Sequence, residues 1–120
     1  MKETSKLDTY RNSLNSSQQI VFDVLRKLIH KANPEVCETI FVRQPYFYLS
    51  EYESIKFHTR PSIMMSFFGD HVNIFALANS KYESSLKMYH FTEKHNMQIK
   101  LDQPIEKDIL VSLFRDSLNK

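Results

Sequence analysis

Residues 62–76 read SIMMSFFGDHVNIFA, two β-rich runs parted by Gly69 and Asp70, and this stretch decides the fold. A Gly-Asp pair between such runs marks a two-residue hairpin turn. With the turn there, Phe67 faces Val72, Met65 faces Ile74 and Ile63 faces Ala76, so one side of the ribbon is wholly apolar. That side is expected to cover helices. The other side pairs Phe68 with His71, Ser66 with Asn73 and Met64 with Phe75, a mixture unsuited to a simple core and therefore a candidate binding surface.

Working upstream, Leu7, Tyr10 and Leu14 recur at helical spacing and predict a short first helix that breaks at Asn15, Ser16 and Ser17. Ser16 with Gln19 has the form of a capping box. The stripe Ile20, Val24, Leu25, Leu28, Ile29 and Ala32 then carries a core helix to the stop at Asn33 and Pro34. Residues 38–49 are rich in Thr, Ile, Val, Phe and Tyr, which suits strands with a bend at Pro45, and a further edge strand is expected around residues 55–59. Downstream, Ser80 and Glu83 predict a second capping box for a helix presenting Tyr82, Leu86 and Tyr89. A strand over 97–101 follows, then a last helix carrying Ile105, Ile109, Leu110, Leu113 and Phe114, with Glu106 and Asp108 near its positive end. The expected order is ααββββαβα. It implies an α+β fold, an antiparallel sheet of about four to six strands with helices mainly on one face.

A chain of 120 residues, 42% hydrophobic, with nine Phe and six Tyr, can bury one core and shows no linker or repeat, so residues 1–120 are read as a single domain. Sixteen basic against fourteen acidic residues leave a formal charge of +2, spread along the chain. Nucleic-acid binding is not expected from so diffuse a charge, and the local group Arg26, Lys27 and Lys31 is read as a solvated helix face. No stretch approaches the roughly 18 apolar residues of a membrane span, and the polar residues 1–12 lack a signal-peptide core. Cys37 is the only cysteine, which excludes an internal disulfide and a CxxC metal knuckle, and points to the cytoplasm. Gly69 is the only glycine, so Walker loops, dinucleotide fingerprints and nucleophile elbows are excluded. Cys37, beside the helix stop, is read as a small hydrophobe and not a nucleophile.

Several local strings occur in a recognisable order. Residues 25–35, LRKLIHKANPE, resemble the helix and turn "LRxLIHxAxPE" of the YdhG-like family, a bacterial domain of unknown function that includes frataxin-like iron chaperones. Glu38, Thr39 and Ile40 with Gln44, Pro45, Tyr46 and Phe47 resemble its "ETIxxxxPxF" strand and bend. Residues 71–75 fall where it has a "HIGLY"-like return strand, and residues 101–104, LDQP, resemble its "LDxP" entry to the last helix. The chain departs from the family in two places. Glu93, Lys94, His95 and Asn96 stand where members carry "SKGT", and the segment 51–60 is longer than the usual connection.

The resemblance implies a non-catalytic protein that carries ferrous iron to a client. Iron favours carboxylate and imidazole ligands. The candidates are Glu35, Glu38, His71, His90, Glu93 and His95, with Glu51 and Glu53 as a further acidic pair, each also readable as an ordinary surface residue. A dense acidic ridge of the frataxin type is not expected, because the first two helices offer only Asp8 and Asp23 after Glu3. An alternative is a small-molecule cleft between the Pro45 bend and the hairpin, lined by Tyr46, Tyr48, His71, Asn73 and Lys94, unless these aromatics complete a smaller core under the 50s segment. A third is a protein-interaction module with Tyr46, Phe47, Tyr48 and Tyr52 as anchors, in a monomer or weak homodimer.

Overall fold

The computed structural model describes residues 3–56 and 59–119. Helix α1 (Glu3–Asn12) leads into α2 (Ser16–Ala32), and two hairpins follow, β1 (Cys37–Phe41) with β2 (Gln44–Tyr48) and β3 (Ser62–Phe67) with β4 (His71–Ala76). A single helical turn α3 (Asn79–Tyr82) precedes β5 (His90–Phe91) and β6 (Met97–Lys100), and α4 (Lys107–Leu118) closes the chain. The strands form one antiparallel sheet in the order β1-β2-β3-β4-β6-β5. The fold is α+β. Among the described residues no helix is long and apolar enough to cross a membrane.

The β3–β4 hairpin takes the register its alternation demands, with Ile63 opposite Ala76, Met65 opposite Ile74 and Phe67 opposite Val72. Ile63, Met65, Val72 and Ile74 are completely buried, as are Phe47 of β2 and Met97 and Ile99 of β6. They face α2 and α4, which pack on each other, while α4 also lies on β3 and α1 on β1. Each such side chain contributes about 1.5–3 kcal/mol through burial, and together they hold the helices to this face.

The core helix α2 runs over the expected residues, but its cap and its buried stripe both differ. Asn15 caps it: Gln18 N–H donates to Asn15 Oδ1 and Asn15 N–H donates to Gln18 Oε1, both at 2.9 Å. Ser16 is thereby the first helical residue. Gln19 donates to the Arg11 carbonyl, and Gln18 Nε2 reaches the Phe68 carbonyl, tying the helix start to the hairpin turn. The buried face is Val21, Phe22, Leu25, Leu28 and Ile29, whereas Ile20 is 66% exposed. Arg26 is not on a solvated face, because its guanidinium pairs with Glu38 of β1 and with Asp8 of α1.

Three further expectations are corrected. The chain reverses at Val42 and Arg43, both in left-handed backbone at φ 53° and 66°, and not at Pro45. That is the geometry of a tight hairpin turn without glycine or asparagine to announce it. Pro45 sits inside β2, and the β2–β3 ladder begins at Tyr46, so the missing N–H removes no bond from it. The edge strand expected around residues 55–59 falls partly on residues 57 and 58, which lie outside the described ones; among the described residues of that segment, Ile55 and Thr59 make turn bonds to Tyr52 and Lys56 and no strand is present. The helix expected from Ser80 is a single turn that begins at Asn79 without a side-chain cap and passes into a 3-10 turn at Glu83–Ser85; Asn79 is turned inward to donate to the Ile74 carbonyl, and Ala78 N–H is held by Ser117. Leu86 and Tyr89 are buried all the same, from irregular backbone.

Candidate functional site on the uncovered sheet face

The side chains that alternate with the core residues point away from the helices. On this face Thr39, Tyr46, Met64 and Phe75 stand side by side across β1 to β4, and Ser66, Asn73, Gln98 and His90 across β3, β4, β6 and β5. The two halves of the face differ. Over β2, Tyr46 is 2% exposed and packs on Phe41 and Tyr48, with ring centroids 5.4 and 5.7 Å away. The guanidinium of Arg60 lies 4.5 Å over the Tyr48 ring and is tied to the Ile55 and Glu53 carbonyls, which draws the 50s segment over this half. Tyr46 is buried and Tyr48 half-buried in a small aromatic core with Phe41, while Phe47 belongs to the helix-side core and Tyr52 is half-buried against it, so these residues do not form an exposed anchor patch.

The other half carries a cavity of about 600 Å³ between β4, β6 and β5. His71, Gln98 and Lys100 form its floor and His90 its edge, with His71 directly opposite Lys100 and Gln98 opposite His90. Lys87, Met88 and Tyr89 wall it from the irregular segment before β5. That wall is strapped in place. Gln103 donates to the Met88 carbonyl at 2.7 Å and accepts from Lys100 N–H, while the Tyr89 hydroxyl donates to the Pro104 carbonyl and accepts from Glu106 N–H. Burial pushes the Tyr89 phenol up, so it stays a neutral strut across the accessible pH range.

His71 is held on two sides. Its Nδ1 is 2.7 Å from the Asp70 carboxylate and its ring stacks on Phe68 at 4.9 Å and 15°. The hydrogen bond from His71, with Lys100 nearby, holds the Asp70 carboxyl below its ordinary range. Beside this floor, in the middle of its row, the Asn73 side-chain oxygen is buried without a hydrogen-bond partner among the described residues. An unpaired buried amide oxygen is disfavoured by about 1–3 kcal/mol.

The expected ligand residues are dispersed. Glu38 lies on the helix side of the sheet, 6% exposed, with both carboxylate oxygens 2.7 Å from Arg26 and one also against His30. Burial pushes its carboxyl up, but the bonds from Arg26 and His30 outweigh this and hold its pKa at about 2. It is a structural anchor joining β1 to α2. Glu35 is exposed in the turn beyond α2, its N–H bound to Asn33. His71 and His90 share the large cavity, while Glu93 joins His90 and Lys94 in a shallower one at the β5 edge. His95 is 3.2 Å from Glu83 and lines a third, of about 340 Å³, with Arg60, Ser62, Phe75 and Lys94. Among the described residues no three His, Cys, Asp or Glu come together as a metal cluster. Cys37 is half-buried on the edge strand.

Sequence reasoning missed Lys87, Gln98, Lys100 and Gln103. Two of them had a signal. Met97 and Ile99 alternate with Gln98 and Lys100, which assigns the polar pair to the face bearing His71 and Asn73. Lys87 and Gln103 had none, since long-range bonds position them. Compared with known proteins, the chain matches no family model, no curated protein and no solved structure.

Proposed function

We propose that this chain is a non-catalytic binding module that takes a small polar ligand in the cavity between β4, β6 and β5. The observation that carries this is the cavity itself: about 600 Å³ on the sheet face opposite α2 and α4, with polar side chains converging from the strands and from a strapped wall. That volume lies within the roughly 300–1,000 Å³ of small-ligand sites, and rigid strands hold the floor. The strongly shifted carboxyl, Glu38, is committed to an ion pair on the opposite face and takes no part in this site.

Iron carriage to a client in the cytoplasm rests on the resemblance to the YdhG-like family. One feature favours that kinship: His95 takes left-handed backbone, φ 65°, at the place where the family motif has glycine. The dispersed carboxylates do not favour a metal site. A thermal-shift panel of metabolite-sized compounds, with ferrous iron under argon as a separate arm, tests both. A compound that stabilises the native chain but not His90→Ala or Gln98→Ala supports the cavity. Stabilisation by iron alone, lost in His90→Ala, supports the carrier role, and no stabilisation by any compound removes the binding reading.

A further inference from the structure

We propose that the ligand of this cavity carries an anionic oxygen group, such as a phosphate or a carboxylate, and that Lys87, Lys100, His71 and His90 seat it. This rests on the binding reading above and names the chemistry of its ligand. Lys87 and Lys100 converge on the cavity from separate elements, one from the wall and one from β6. Neither ammonium has an ion-pair partner within 4.0 Å among the described residues, whereas Arg11, Arg26 and Lys81 are each matched to a carboxylate. Asp70 is the one carboxylate in the lining. It stands on the rim, its side chain 85% exposed and bonded to His71, with Lys100 near enough to lower it further.

With both imidazoles neutral, two lysines against one aspartate leave a net charge of +1, and protonation of either imidazole adds to it. Concave walls focus such a field on the space between them. A bound cation meets two ammoniums there, while a neutral ligand leaves both unmatched. The Asp70 bond and the Phe68 stack fix the His71 ring, so that Nε2 remains as its other polar atom. An imidazole so held donates to an anionic oxygen when protonated, and Gln98 adds an uncharged amide beside it.

The test is calorimetry of the full chain at constant ionic strength with inorganic phosphate, citrate and glucose, located by the imidazole ¹H–¹⁵N signals of His71 and His90. Saturable binding of phosphate or citrate that shifts both imidazoles is expected, and whichever anion binds more tightly distinguishes the two sources. Lys87→Gln and Lys100→Gln should each weaken it about three- to tenfold, the loss of one modest ion pair or charged hydrogen bond, while the exposed Lys31→Gln should not. Anion binding that ignores both cavity lysines, or no anion binding, overturns the proposal. Glucose shifting His71 and His90 without any anion effect leaves the cavity as a binding site but refutes its charge preference. Silence from all three compounds removes the anion seat, while the thermal-shift panel separately decides whether the cavity binds anything.

Discussion

The two faces of the β3–β4 hairpin share one backbone and one register yet have opposite chemistry. Towards the helices, Ile63, Met65, Val72 and Ile74 are completely buried. Away from them, Ser66 pairs with Asn73, Met64 with Phe75, and Phe68 stacks on His71. Packing dictates the first set, since a polar group there would lie unpaired in the core. It does not dictate the second, where Ser66, Asn73 and His71 are only half-buried. The same contrast separates two acid–histidine pairs: Glu38 with His30 on the helix side is sealed by Arg26, while Asp70 with His71 stands on a cavity rim. One joins elements; the other lines a site.

Truncation on the helix face should have the largest effect. Ile74→Ala or Met65→Ala is expected to cost about 2–5 kcal/mol in urea denaturation, and a loss below about 1 kcal/mol would break the contrast. Next comes Glu38→Gln, which strands Arg26 and His30. Both are partly solvated, so the expected cost is about 2–3 kcal/mol, below that of a fully buried pair. The native pKa of Glu38 lies below its ordinary 4.5, so its contribution is complete above that pH and is lost as pH falls from 4.5 towards about 2. The shift limits this loss to about 3 kcal/mol, and acid titration of stability should show it in the native chain but not in Glu38→Gln. Smallest is the open face: His90→Ala and Gln98→Ala should change stability by no more than about 0.5 kcal/mol while abolishing ligand stabilisation. A large stability loss there would make the open face structural.

How far the sequence could be read follows from how local each signal is. The β3–β4 register needed only a Gly-Asp turn and alternation, and α2 needed only a periodic stripe with a stop at Asn33 and Pro34. Their details were less legible: the cap fell on Asn15 because Asn and Ser present equivalent oxygens one residue apart. The turn at Val42 and Arg43 carried no turn residue, and β5 has two residues, too short for any periodicity. Within the site, His71, His90 and Asn73 were recognised by type, and Gln98 and Lys100 follow from alternation in β6. Lys87 was invisible, because a bond from Gln103 to Met88 holds its segment against the sheet. Glu38 read as a free ligand because its pairing with Arg26 joins a strand to a helix.

The central claim, that the uncovered face over β4, β6 and β5 is a binding site, is tested most directly by backbone amide chemical-shift mapping with a panel of metabolite-sized compounds. The expected result is a saturable set of perturbations on Asp70, His71, His90, Gln98 and Lys100, with α2 and α4 unmoved. Perturbations confined to the helix side, or none from any compound, would contradict it.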